Sequence, residues 1–224
     1  MSTLYVNVPQ KHFKDLLSIA YKLEKVGYKK EGKLLGTIAS EIIGSTLSSS
    51  LPSKNVLLDA VTLLRSQTIK FAVIGGMAVN VHGTPRGTSD IDMLVSSFPK
   101  KVDNESYMDN FSFYTAYRYG DFMKLKSKDG GEVDLLLAEK DPLFKIALST
   151  AKEESLLTLR IPVVIPEVLV ALKVKSLAEG NNRTNDLSDI VSIWTKNGLT
   201  LKKMEKFLAK RQLKALDLLL TIQK

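Results

Sequence analysis

The sequence predicts an α+β domain built around one mixed sheet, with helices at both ends of the chain. Two observations predict it. Strand-like runs of β-branched and aromatic residues cluster between about 69 and 165, and amphipathic helical spacing fills both flanks. Composition agrees, since 44% apolar and 25% charged residues lie in the ordinary globular range. A chain of 224 residues buries enough surface for a substantial core.

Residues 11–25 space Phe13, Leu16, Leu17, Ala20 and Leu23 helically, with Gly27 as a stop. Leu34, Leu35, Ile38, Ile42 and Ile43 line a second helix. Together they predict a helical hairpin over residues 1–50, joined by the Ser-rich connection "GSTLSSSLPS" at 44–53. Val56, Leu57, Ala60, Val61 and Leu64 mark a helix over 54–66, and "IKFAVIG" reads as a buried strand after it. "MAVNVHG" predicts two helical turns and "DIDMLVS" a second strand ending before Pro99. From Phe111 to Ala138, aromatic and β-branched residues broken by Gly120 and "KDGG" predict two or three strands, the last being "EVDLLLA". "RIPVVIP" holds a short strand, Pro166 opens a helix that Gly180 stops, and "RTNDLSDIVSIWTKNG" forms another. Residues 200–222 supply one or two more helices. The expected divisions are a hairpin (1–50), a core (54–165) and a C-terminal helical region (166–224) packing on it.

The sequence excludes several chemistries. It has no cysteine, so disulfides, thiolate metal sites and cysteine nucleophiles are ruled out, and two histidines make a multi-histidine zinc site implausible. A metal would be held by carboxylates, which favours magnesium, manganese or calcium. No apolar run is long enough to span a membrane and the first residues lack a secretory h-region, so no membrane partner and a cytoplasmic location are expected. Lys plus Arg against Asp plus Glu is 8 to 5 over residues 1–60, 11 to 11 over 61–150 and 13 to 8 over 151–224. Basic flanks around a carboxylate-containing middle suit a polyanion such as RNA or a nucleotide phosphate, and equally suit plain solvated lysine faces.

"VIGGMAVNVHGTPRGTSDIDMLV" at 73–95 carries the chemistry. Alternation on a strand sends Asp90 and Asp92 to the same face. At about 4 Å and an effective dielectric near 20, two such charges repel by about 4 kcal/mol, so water, a base such as Arg86, or divalent cations must offset them. Gly75 and Gly76, between strand and helix, lack the Cβ atoms that would keep a phosphate from the backbone. No Walker lysine and no GxGxxG accompany them. Asp134 in "GGEVDLLLA" is the natural third carboxylate, and Glu132, two residues away on the same face, is its competitor. Three carboxylates on adjacent strands suit two metal ions, with Asp134 accepting a hydroxyl proton.

Gly75-Gly76, thirteen residues, Asp90-Ile91-Asp92-Met93 and a later strand with Asp134 resemble the nucleotidyltransferases of the DNA polymerase β-like superfamily. More narrowly, "VIGGMAVNVHGTPRGTSDIDMLV", "EVDLLLA" and "VVIPEVLVALKVKSL…RTNDLSDI" look like the AbiEii-type group, which includes type IV toxin–antitoxin nucleotidyltransferases. The resemblance covers about residues 56–195. It implies a mixed nucleotidyltransferase-type sheet flanked by helices, and transfer of NMP from an NTP to an acceptor hydroxyl with two Mg2+ (or Mn2+) ions. It also implies that Gly75 and Gly76 contact the triphosphate, that Asp90, Asp92 and Asp134 bind metal, and that Lys173 reaches the phosphates. Asp186 and Asp189 match an acidic helix of the group. The chain departs from the pattern at Gly76, where relatives that modify small drugs usually carry serine, and at Asn185, where a lysine is common.

Arg86 reads either as a phosphate contact or as a neutraliser of the aspartates, and Thr88 and Ser89 either touch the nucleotide or cap the local backbone. His82 reads as structural, and Trp194 as core. Asp186 and Asp189 alternatively cap their helix and pair with Arg183. Given the basic flanks, the expected acceptor is RNA, such as a tRNA end. The alternatives are transfer to a protein hydroxyl, or a non-catalytic nucleotide-binding regulator acting on a protein partner through the N-terminal hairpin.

Overall fold

Seven strands, in the spatial order Phe113–Tyr119, Phe122–Ser127, Glu132–Leu137, Asp90–Val95, Phe71–Val73, Leu159–Val163 and Lys152–Leu156, form one mixed sheet in the computed structural model. The structure describes residues 54–222 apart from 103, 112, 129–130, 158 and 181–184. The expected N-terminal hairpin and its Ser-rich connection therefore lie outside the described residues.

Helix α1 (Lys54–Ser66) leads into β1 (Phe71–Val73), α2 (Gly75–His82) and β2 (Asp90–Val95). The short α3 (Glu105–Asp109) precedes a meander of β3 (Phe113–Tyr119), β4 (Phe122–Ser127) and β5 (Glu132–Leu137). Helix α4 (Pro142–Thr150) connects to the β6 (Lys152–Leu156) and β7 (Leu159–Val163) hairpin. Helices α5 (Pro166–Ala178), α6 (Asp186–Asn197), α7 (Leu201–Met204) and α8 (Lys210–Ile222) complete the chain. No described helix is long and apolar enough to cross a membrane.

The pairs β2/β5 and β1/β7 are parallel, and the others antiparallel. Alternation explains the two faces of the central strands. Ile91, Met93, Val133, Leu135, Met123 and Leu125 are all buried, whereas the residues between them in β2's first half, β4 and β5 are half-buried and mostly charged. One face of this part of the sheet therefore supplies core and the other presents chemistry.

Several expectations hold closely. Pro166 opens α5, Gly180 follows its end with φ +81°, and Ile190 and Ile193 are buried with Trp194 packed beside them. Others shift. The strand expected over 69–75 is confined to Phe71–Val73, and the helix expected after the glycine pair begins at Gly75 itself. Three elements were not anticipated: α3, α4 and β6. The start of α4 is readable in hindsight, because Asp141 accepts a hydrogen bond from Leu143 N at 2.8 Å and Pro142 takes the first helical position. Strand β6, "KEESL", is a polar edge strand without apolar alternation.

Candidate active site

The parallel register of β2 and β5 sets Asp92 opposite Asp134 and Asp90 opposite Glu132. Adjacent strands run about 4.8 Å apart, and side chains of paired residues share a face, so four carboxylates occupy one small patch. Strand β4 answers with lysines. Lys124 is the cross-strand partner of Asp134, and its Nζ lies 2.5 Å from Glu132 Oε2 and 3.1 Å from Asp134 Oδ1. Lys126 adds a contact to Glu132 at 3.5 Å.

The two carboxylates of β5 are consequently in different states. Glu132 is held below the usual carboxylate range by its hydrogen bond to Lys124, and Lys124 is in turn raised. Asp134 is pushed up, chiefly by burial, with the Lys124 ammonium opposing and the Asp90 and Glu132 charges adding to the shift. The Lys124 ammonium, 3.1 Å away, is the ion-pair partner of Asp134 Oδ1, and that buried oxygen takes no other hydrogen bond. Glu132 is saturated by lysines; Asp134 retains an unused acceptor.

The glycine pair fits against the same aspartates. A Cβ on Gly75 would fall 1.9 Å from Asp92 Oδ2, and Gly75 has φ +61°, a conformation side chains rarely adopt. A Cβ on Gly76 would meet Thr88 Oγ1 at 2.6 Å. Main-chain bonding joins the junction to the strand, since Ile74 N donates to Asp92 O at 2.9 Å. Ser89 Oγ donates to Asp90 Oδ1 at 2.9 Å, and Thr88 Oγ1 donates to Asp90 O at 3.4 Å. Glycine is thus required here because Asp92 and Thr88 already occupy the space a side chain would need.

Arg86 and Lys173 join a second cluster. Arg86 donates from Nε and Nη2 to the two carboxylate oxygens of Asp189, each at 2.9 Å. Lys173 Nζ reaches Asp189 Oδ2 at 2.7 Å and Asp186 Oδ1 at 2.8 Å. Lys173, Asp186 and Asp189 are all buried, and Asp186 Oδ2 has no hydrogen-bond partner. The acidic pair of α6 thus finds its partners on α5 and on the loop before β2; Arg183 lies outside the described residues. Because Arg86 is only four residues before Asp90, the network ties the approach to β2 to the helical layer.

His82 is buried, and its Nε2 donates to Val164 O at 2.7 Å, a bond that requires the proton on that nitrogen. Burial lowers its pKa, in keeping with a structural role. A cavity of about 510 Å3 opens beside it, lined by Lys152, Glu167, Lys203, Lys206 and Phe207 among others. None of the carboxylates of β2 and β5 lines it.

The carboxylate patch has the donor chemistry of a magnesium or manganese site: all-oxygen ligands, one of them buried and unsatisfied. In this arrangement no three His, Cys, Asp or Glu side chains among the described residues converge closely enough to hold an ion. The cation seated at Asp134 and Glu132 is the Lys124 ammonium. Lys124 was not singled out from the sequence, and the only signal was its alternation with Lys126 in "FMKLKS".

The seven-stranded α+β architecture is that of nucleotidyltransferase-like structures. The chain is similar to an antibiotic-resistance factor, ANT(2'')-Ia, at 13% identity and TM-score 0.52, covering 73% of this chain and 92% of that one. It is also similar to an antigenic nucleotidyltransferase-like protein from Paracoccidioides brasiliensis, at 17% identity and TM-score 0.50, covering 78% and 90%. At these identities the likeness is one of fold. The sequence matches no protein-family model. It also matches no curated protein.

Proposed function

We propose that the protein is a cytoplasmic, metal-dependent nucleotidyltransferase of the AbiEii-type group, moving NMP from an NTP to a hydroxyl of RNA and releasing pyrophosphate. The observation that carries this reading is the pairing of Asp92 with Asp134 on adjacent parallel strands, with Gly75 packed on Asp92. The fold likeness supports it.

In this reading Asp90, Asp92 and Asp134 hold Mg2+ or Mn2+, which when bound neutralises phosphate charge and makes the acceptor hydroxyl more acidic. The triphosphate would meet the backbone N–H groups of Gly75 and Gly76 at the start of α2, beside Asp92. The acceptor oxygen attacks the α-phosphorus, the α–β phosphoanhydride bond breaks, and pyrophosphate carries away the electron pair. Asp134 takes the hydroxyl proton, a role suited to a carboxylate whose basicity is raised by burial. Ser89 orients Asp90. Arg86 and Lys173 hold the loop before β2 against α5 and α6, and reach phosphate only from within that network.

The test is to incubate the protein with each α-labelled NTP, magnesium or manganese, and total RNA with cell lysate. Label in RNA that disappears in Asp90→Ala and Asp92→Ala supports the reading. Label in protein instead moves the acceptor to a protein hydroxyl. No label under any condition leaves a nucleotide-binding regulator.

A further inference from the structure

The row that begins at Asp92 continues beyond Asp134. Asp92 on β2, Asp134 on β5, Lys124 on β4 and Tyr117 on β3 are successive cross-strand partners. The next row is Leu94, Leu136, Phe122 and Tyr119. Paired residues share a face, so the carboxylate patch, Lys124, Phe122 and the two tyrosines lie on one side of the sheet.

Its outer end is open. Strand β3 is the edge of the sheet, and Tyr117 and Tyr119 are 57% and 76% exposed. Alongside them Lys126 is on the same face, half-buried, with its side chain 45% exposed beside Glu132. Two solvent-facing tyrosines two residues apart, beside Lys124 and Lys126 of the neighbouring strand, form a stacking surface for planar rings next to a cationic track for phosphates.

The arrangement has a direction. If the triphosphate lies at Gly75 and Gly76, on the β1 side of Asp92, then the acceptor must approach Asp134 from the opposite side, over β4 and β3. Tyr117 lies two strand spacings, about 10 Å, beyond Asp134. A polynucleotide with its terminal hydroxyl at Asp134 would therefore lay its preceding bases over Tyr117 and Tyr119.

We propose that the open face of β3 and β4 is the acceptor platform, binding the single-stranded 3′ end of an RNA by stacking on Tyr117 and Tyr119 and by phosphate contact with Lys126. This rests on the transfer reading for its direction, but binding is measured without catalysis. A duplex hides its base faces, so single-strand preference is part of the proposal.

The experiment measures fluorescence anisotropy of a labelled single-stranded oligoribonucleotide of about ten nucleotides, with a blunt duplex of the same sequence for comparison, on the full chain. The wild type should bind the single strand more tightly. Tyr117→Ala and Tyr119→Ala should each weaken binding about tenfold, Tyr117→Phe and Tyr119→Phe should retain it, and Lys126→Ala should flatten its salt dependence. Equal binding by the Tyr117→Ala/Tyr119→Ala double variant, equal affinity for the duplex, or no binding by the wild type would overturn the proposal. If wild type labels RNA while the double variant still binds it normally, the platform fails and the transfer reading stands. If the double variant loses binding while no NTP ever yields label, the platform stands and the transfer reading fails.

Discussion

Gly75 and Asp92 occupy each other's space: a methyl group on Gly75 would sit 1.9 Å from the Asp92 carboxylate. The glycine and the aspartate, seventeen residues apart, are thus a single structural unit. Gly75→Ala must displace Asp92 and also strain a backbone at φ +61°. We expect loss of NMP transfer together with a lower Tm. Gly76→Ala should be milder, because its nearest contact is Thr88 Oγ1 at 2.6 Å rather than 1.9 Å and its backbone lies outside the left-handed region.

Lys124 holds Glu132 and leans on Asp134 from the neighbouring strand. The hydrogen bond to Glu132, worth about 1.5–3 kcal/mol, keeps the Lys124 ammonium beside Asp134 Oδ1, where it competes with a divalent ion. Lys124→Met should therefore tighten Mn2+ binding roughly tenfold or more while lowering the Tm of the metal-free protein. Calorimetric titration with Mn2+ reads the first effect and thermal melting the second. Unchanged affinity would show that the lysine does not compete with the ion.

Asp134 carries a raised pKa because burial disfavours its charged form. Stability from the neutral carboxyl is fully present below the ordinary value of 3.8 and is lost as pH rises through the higher folded value. Above that window the ionised group strains the fold. Metal-free Asp134→Asn should accordingly melt higher than wild type at pH 7, with the advantage shrinking as pH falls toward 3.8. Such a gain at a candidate active site is the usual trade of stability for function.

Asp189 balances both Arg86 and Lys173 while only 3% exposed. Asp189→Ala leaves two cations with too few partners in a buried site, at a cost of about 3–5 kcal/mol. For a chain of this size each kcal/mol lowers Tm by about 2–4 °C. Pairing the change with Lys173→Met should recover part of the loss, because the uncompensated charge goes with it.

Much of this was legible in the residues. Alternation along "DIDMLV" and "EVDLLL" places Asp90, Asp92 and Asp134 on open faces, and the caps at Pro166 and Gly180 mark α5. What periodicity cannot carry is register. That Asp92 opposes Asp134 depends on how β2 and β5 align across forty-two residues: a slip of two would set Asp92 against Glu132, and a slip of one would set it against an apolar neighbour on the other face. The same blindness hid Lys124 and Tyr117. The Arg86–Asp189 pair spans 103 residues between a loop and a helix, a distance over which local pattern says nothing. Conversely, the glycines suggested room for a ligand, and the structure shows that neighbouring side chains already claim part of that room.

The most direct measurement is single-turnover transfer from the preferred NTP to RNA, comparing Asp92→Asn, Asp134→Asn and Glu132→Gln with wild type. Loss of a general base typically costs about 100- to 10,000-fold, so Asp134→Asn should fall by at least about 100-fold; Asp92→Asn, which loses a metal ligand, should also lose transfer, while Glu132→Gln stays within about threefold. Full activity in folded Asp134→Asn, or its abolition by Glu132→Gln alone, would contradict the site described here.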